Sequence, residues 1–220
     1  MKLYSYFRSS ASYRVRIALA LKGLAYDYVP VQIVKGEQAA EPLRSIAPSQ
    51  LVPALALDGA DGGLGETATL TQSLAIIEYL DETHPEPPLL PADALGRARV
   101  RSLALDIACE IHPLDNLRVL RYLQDEMKVS ADDKDRWYRH WVETGLAVVE
   151  RQLAGNAATG RFCHGDTPGM ADCCLVPQIF NAQRMHCRLD HVPTVMRVFD
   201  ACMAEAAFTS TQPSACPDAT

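Results

Sequence analysis

Long apolar runs are missing from this chain. No stretch approaches the roughly 18 residues that cross a bilayer as a helix, so no membrane association is expected. No leader-type apolar segment follows Met1, and Met1-Lys2-Leu3-Tyr4-Ser5-Tyr6 alternates as a strand does, which makes the cytoplasm the expected compartment. Blocks of lysine or arginine are also absent and the net charge is −6, which excludes nonspecific nucleic-acid binding through a cationic surface. Cysteine does not occur before Cys109. The seven that follow (Cys109, Cys163, Cys173, Cys174, Cys187, Cys202 and Cys216) are odd in number and show no CxxC spacing, so they read as reduced thiols. The six histidines lack HxxxH spacing, and no metal is expected.

What is present divides the 220 residues in two. In the first eighty or so, short β-rich runs alternate with helical patterns: strands at Leu3 to Tyr6, Tyr26 to Gln32, Ala54 to Leu57 and Thr67 to Leu70, the last two as a hairpin. Helices are expected over Ser10 to Lys22, stopped by Gly23, over Pro42 to Ala47 and over Gln72 to Thr83. The connection from Asp58 to Glu66 is glycine-rich but lacks the GK[ST] ending of a phosphate loop and joins two strands. Four prolines between Pro85 and Pro91 cannot continue a helix, so the segment reads as a stiff connector and the boundary falls between domains 1–87 and 88–220. Beyond it, helical apolar periods run over Leu95 to Leu123, Asp133 to Leu153, Ala171 to Met185 and Pro193 to Glu205. The stripe Trp137, Trp141, Leu146, Val149, Leu153 reads as core, and the tail after Phe208 as loosely ordered. The expected fold is an α/β domain followed by an all-helical one.

The chemistry concentrates at Arg8-Ser9-Ser10-Ala11-Ser12-Tyr13-Arg14-Val15-Arg16, where a strand ends and a helix begins. Unpaired N–H groups and the positive end of the helix dipole make such a junction an anion site, to which serine hydroxyls add donors. The same serines could equally be plain helix caps.

Ser9-Ser10-Ala11-Ser12-Tyr13-Arg14-Val15-Arg16-Ile17-Ala18-Leu19 resembles the opening motif Ser-Ser-Cys-Ser-x-Arg-Val-Arg-Ile-Ala-Leu of the zeta-class glutathione transferases, which include maleylacetoacetate and maleylpyruvate isomerases. The similarity continues through Leu51-Val52-Pro53-Ala54-Leu55, Gln72 to Leu80, Asn116-Leu117 and Ala171 to Gln178. It implies a thioredoxin-like front domain with a four-stranded mixed sheet, a helical-bundle back domain, glutathione as cofactor and a homodimer. Ser9 would face the glutathione sulfur, with Ser10, Ala11 and Ser12 in the helix-terminal cradle, although Ser12 could be structural. Val52 would pair its backbone with the cysteinyl part beside a cis Pro53. Gln72 and Ser73 would bind the γ-glutamyl carboxylate, Ser73 alternatively being an ordinary cap. Gln38 matches a glutathione-contacting glutamine and also fits a solvated loop. His112, Asn116, Leu117 and Arg118 match a back-domain stretch that closes over the ligand, while His112 alone fits core packing or a solvated face. Arg8 and Arg184 would hold the carboxylates of a dicarboxylic substrate by their guanidinium forks, or form plain salt bridges.

Two departures stand out: Ala11 replaces the family cysteine, and Gly169 replaces the Ser or Thr that caps the helix before Met170-Ala171-Asp172. Asp172 then reads as a structural capping residue.

The implied reaction is a cis-trans isomerisation of a maleyl keto-acid in aromatic-compound degradation, with glutathione thiolate adding to the double bond and leaving after rotation. Alternatives are a broader transferase or dehalogenase acting on α-halo acids, or a non-catalytic interaction protein of this fold. The intact set Ser9, Ser10, Gln72 and Ser73 argues against the last.

Overall fold

A computed structural model describes residues 1–57 and 68–219. The chain forms two compact units, the first combining Met1–Leu89 with the end of the chain from Glu205, the second spanning Leu90–Ala204.

The first unit is built on a four-stranded sheet of β1 (Lys2–Ser5), β2 (Asp27–Pro30), β3 (Ala54–Leu57) and β4 (Ala68–Thr71), in the order β2-β1-β3-β4. β1 runs parallel to β2 and antiparallel to β3, and β3 runs antiparallel to β4. The glycine-rich 58–66 connection, and Thr67 of the expected fourth strand, lie outside the described residues. The parallel pair needs a crossover, which α1 (Ser10–Leu21) supplies. Every residue of α1 from Ser12 to Leu19 is buried, because the helix packs against α3 (Ser73–Thr83) and α10 (Ala206–Thr209). Gly23 ends α1 at φ +65°: its N–H donates to Ala20 and that of Leu24 to Leu19, a Schellman closure that a residue with a Cβ would strain. The short α2 (Leu43–Ile46) buries Leu43 beside Val31, Ala47 and Val52.

Lys22, at the end of α1, is held by Asp81 Oδ1 at 2.7 Å and by the carbonyls of His84 and Pro87 at 2.6 and 2.7 Å. Asp81 also accepts the N–H of Leu89 at 2.7 Å, so one buried ion pair ties α1 to α3 and to the proline-rich segment.

The end of the chain corrects the sequence reading twice. Residues 205–220 were expected in the helical domain and the tail was expected to be loose; they pack in the first unit instead. Phe208 is fully buried, Tyr13 donates its hydroxyl to the Phe208 carbonyl at 2.8 Å, and Asp218 accepts from the Phe7 N–H and the Tyr28 hydroxyl at 3.2 and 2.6 Å. These are long-range contacts, which local composition does not encode.

The second unit is helical: α4 (Ala94–Leu105), α5 (His112–Asp115), α6 (Leu117–Arg121), α7 (Ala131–Leu153), α8 (Met170–Arg184) and α9 (Pro193–Met203). The single helix expected over Leu95 to Leu123 is broken. A π-turn covers Asp106–Ile111, and Asn116 leaves helical geometry at ψ 159° to cap α6, accepting from the Val119 N–H at 3.1 Å. On α7 the buried stripe is Tyr138, Val142, Leu146, Val149 and Leu153, spaced by four, four, three and four. Trp137 and Trp141 sit one position off this stripe and are only half-buried; the Trp137 indole donates to the Leu114 carbonyl at 2.8 Å. Asp172 starts α8 by accepting from the N–H groups of Gly169 and Cys163 at 2.8 and 2.9 Å, while its burial pushes the carboxyl pKa up. Among the described residues no helix is long and apolar enough to cross a membrane.

Replacing Lys22 by Ala leaves the Asp81 carboxylate buried without its cation, and should lower the unfolding free energy by about 3–5 kcal/mol. Chemical denaturation of the full chain followed by circular dichroism measures this, and a loss below about 1 kcal/mol would contradict a buried pair.

Candidate active site

Strand register assembles the site. Tyr4 pairs with Ala54 and Ala54 pairs with Thr71, so the end of β1, the start of β3 and the end of β4 lie level at one end of the sheet. Three segments therefore emerge side by side: the loop Tyr6 to Ser9, the pair Val52-Pro53, and Gln72-Ser73.

Ser9 caps α1. Its backbone is extended, its Oγ accepts from the Ser12 N–H at 3.2 Å, and its carbonyl takes the Tyr13 N–H at 2.9 Å. Capping uses a lone pair of the hydroxyl and leaves its hydrogen free to donate, so the two readings of Ser9 are compatible. Ser10 is buried, and Ala11 is half-buried with an N–H that has no acceptor among the described residues, as the first turn of a helix requires. Ser12 is fully buried and its Oγ has no hydrogen-bond partner among the described residues.

Val52 is buried, its peptide bond to Pro53 is cis, and no backbone hydrogen bond among the described residues uses it. A free peptide group of this kind at a sheet end can pair with an extended ligand. Gln72 has φ 69° and ψ 115°, a region that residues with a Cβ avoid, and its exposed side chain makes no cap bond to α3. Strain of about 1–3 kcal/mol persists only where the surroundings fix it, and it gathers at binding sites. Ser73, first residue of α3, is 6% exposed, and its Oγ accepts from Arg14 Nη1 at 3.3 Å. Gln38 lies in a 3-10 turn (Glu37–Ala39), with its Oε1 buried and unpartnered among the described residues.

Arg8 is exposed; its guanidinium lies 4.8 Å from the Phe7 ring centroid and donates to the Tyr6 hydroxyl at 3.2 Å. An aromatic stack of this kind fixes the fork without consuming its charge.

The remaining expected residues belong to the second unit. His112 opens α5, with Nδ1 3.7 Å from Asp115, and the buried Asp115 accepts from Gln178 at 3.2 Å. Asn116 spends its side chain on the cap of α6, where Leu117 is half-buried and Arg118 exposed. Arg184 is exposed in the last turn of α8, its Nε directed at Asn181 Oδ1 at 3.4 Å.

The geometry now meets its relatives. Residues 3–88 match the glutathione S-transferase N-terminal domain. A probable maleylacetoacetate isomerase of Vibrio cholerae is 44% identical over 99% of this chain and 97% of its own. The holo structure of a bacterial maleylpyruvate isomerase, a zeta-class glutathione S-transferase, superposes with TM-score 0.93 at 43% identity, covering 100% of both chains. This chain belongs to the zeta-class glutathione transferases. A further structure, the maleylacetoacetate isomerase of Anaeromyxobacter dehalogenans with dicarboxyethyl glutathione and citrate in its active site, matches with TM-score 0.88 at 44% identity, over 100% of this chain and 97% of that one.

Within this zeta-class site the sequence did not single out Arg14, whose contact with Ser73 spans two elements, or the backbone strain at Gln72. The signal for Arg14 was that it and Arg16, two positions apart, lie on opposite sides of one short helix, so a single solvent-facing stripe cannot take both. For Gln72 no signal exists, since glutamine carries no preference for positive φ.

Gln72→Gly should relieve the backbone and raise stability by about 1 kcal/mol. Denaturant midpoints at constant slope read the effect, and a destabilised variant would mean that Gln72 is not strained.

Proposed function

We propose that this chain is a glutathione-dependent cis-trans isomerase of a maleyl keto-acid. The observation that carries the reading is the convergence at one sheet end of a serine-capped helix N-terminus, an unpaired Val52 peptide beside cis Pro53, and the strained Gln72-Ser73 turn. Those groups fit a small extended peptide with an anionic end and a thiol. Orphaned polar atoms at Ser12 and Gln38 add acceptors that the described residues leave unmatched.

Bound glutathione supplies a sulfur nucleophile able to add reversibly to a conjugated double bond. The residues of the chain do the rest. The α1 N-terminus, the Ala11 N–H and the Ser9 hydroxyl hydrogen stabilise negative charge where a thiol would rest. Lowering a thiol pKa by about two units from its usual 8.5–9 requires about 2.7 kcal/mol, within reach of two donors plus the helix dipole. Val52 aligns the peptide, and Gln72 with Ser73 receives its γ-glutamyl carboxylate at the N-terminus of α3. Arg8, its guanidinium carbon 4.8 Å from the Phe7 ring centroid, presents a planar donor fork to one substrate carboxylate. For the other carboxylate and for further ligand contacts the family resemblance alone names Arg184, His112, Asn116, Leu117 and Arg118, all of the second unit. No role falls to the thiol that Ala11 replaces.

The glutathione-binding half is Met1–Leu89 together with the chain end from Glu205, and the helical half is Leu90–Ala204. The chain works in the cytoplasm as a homodimer; Leu95 and Leu105 on α4, 82% and 46% exposed, offer apolar surface for a second copy.

The test follows maleyl keto-acid isomerisation with and without glutathione. Turnover should require glutathione yet leave its thiol concentration unchanged, and Ser9→Ala should lower kcat/KM about 10²-fold while raising the thiol pKa read by ultraviolet titration. Turnover without glutathione would sink the reading; stoichiometric thiol loss on an α-halo acid, with no isomerisation, would favour a transferase instead. Arg8→Met should raise KM for the dicarboxylate at least tenfold with little change in glutathione affinity.

A further inference from the structure

The loop that leaves β1 for α1 is a single reverse turn. Ser9 donates its N–H to the Tyr6 carbonyl at 2.9 Å, which places Phe7 and Arg8 at the two central positions. A turn of this kind pairs only its first carbonyl and its last N–H, so both peptide groups of Phe7 need partners elsewhere. The Phe7 N–H donates to Asp218 Oδ2 at 3.2 Å, some two hundred positions away. The Phe7 carbonyl accepts from Arg16 Nη2 at 3.0 Å, and Arg16 in turn donates from Nε to the Thr211 carbonyl at 3.0 Å. The other Asp218 oxygen accepts the Tyr28 hydroxyl at 2.6 Å, which pins the carboxylate to β2. Cys216 completes the seat, buried in one cluster with Tyr6, Phe7 and Val52.

Of the two site residues that follow, Ser9 is anchored by α1 itself, through the N–H groups of Ser12 and Tyr13. Arg8 is held instead by the turn: its Nη2 donates to the Tyr6 hydroxyl at 3.2 Å and its guanidinium carbon lies 4.8 Å from the Phe7 ring centroid. Both rings are buried and meet edge to face, 4.8 Å between centroids. The direction of the guanidinium is therefore set by the Tyr6-Phe7 pair, and the backbone of that pair is set by the half-buried Asp218 carboxylate through a charge-assisted bond.

We propose that Asp218 is a positioning residue for Arg8: by holding the Phe7 peptide it aims the guanidinium fork at a carboxylate of the dicarboxylic substrate. The inference rests on the functional reading above, in which Arg8 binds that carboxylate.

Steady-state kinetics of maleylpyruvate isomerisation by the full chain at saturating glutathione test this, with calorimetry of glutathione binding alongside. Asp218→Ala should raise KM for maleylpyruvate about three- to tenfold, less than Arg8→Met because the bond to Tyr6 survives, and should leave kcat and glutathione affinity within about twofold. Asp218→Asn, whose side-chain oxygen still accepts from the Phe7 N–H, should recover most of that rise. In the Arg8→Met background Asp218→Ala should leave KM unmoved, since the group to be positioned is gone. A loss of glutathione affinity as large as the rise in KM, or a further rise on top of Arg8→Met, would assign Asp218 a merely structural role and overturn the inference, as would an unchanged KM in Asp218→Ala. Should Asp218→Ala fail to fold, Tyr28→Phe decides: with the carboxylate released from β2, KM should rise at least about twofold when Arg8 is present and stay level when it is Met, and an unchanged KM with Arg8 present overturns the inference. If Arg8→Met itself leaves KM unchanged, the functional reading of Arg8 falls and takes this inference with it, an outcome seen without any change at Asp218.

Discussion

Strand register is the constraint on which the rest depends. Because Tyr4, Ala54 and Thr71 stand abreast, three loops that are remote in sequence leave the sheet at the same height. A slip of one residue in β3 would turn its buried side chains to the other face and shift Val52 away from the α1 N-terminus. The core prevents this: both faces of β3 are buried, Leu55 and Leu57 on one and Ala54 and Ala56 on the other, so a slip would press leucines where alanines fit. Site geometry is thus purchased by packing, not by contacts among the polar groups themselves.

The helix that carries the site is held in the same way. Without a solvent-facing stripe, α1 cannot rotate or slide at low cost, and its N-terminus, with an Ala11 amide that has no acceptor among the described residues, is fixed in place. The chain end contributes to this. Tyr13 and Arg16 reach from α1 to the carbonyls of Phe208 and Thr211, while Asp218 takes the Phe7 N–H just before the site loop. Burial, reinforced by that same Asp218 carboxylate, pushes the Tyr28 hydroxyl pKa up, so it remains a donor throughout the physiological range. A segment far from the site in sequence is therefore part of its foundation.

How much of this could be read from the residues follows from range. Elements defined by their own period or punctuation were legible: β3 over Ala54–Leu57, α1 closed by Gly23, and Asp172 at the head of α8. The strand-loop-helix opening and its serines were legible because capping chemistry and the family motif coincide there. Features that depend on a distant partner were not. Asn116 interrupts an apolar period with a cap bond that the period hides, Trp137 is drawn off the core by the need of its indole for the Leu114 carbonyl, and the chain end is ordered by residues some two hundred positions away. Arg14 belongs with these, since its hydrogen bond to Ser73 joins α1 to α3.

The substitution at Ala11 shows how the work is divided. A thiol at that position would sit at the same helix N-terminus as the ligand sulfur and compete for the same dipole, offering a second nucleophile that the isomerisation does not use. With a methyl group there, the groups proposed to stabilise the anion (the Ala11 N–H and the Ser9 hydroxyl hydrogen) would have one sulfur to serve. Ser9 can both cap and donate, because a hydroxyl accepts through a lone pair and donates through its hydrogen, whereas a bare backbone cap could do only the first. The same economy recurs at Ser73, which accepts from Arg14 and still has a hydrogen to give. At both helix termini a serine oxygen accepts a bond that stabilises the fold, and its hydrogen is left to donate elsewhere.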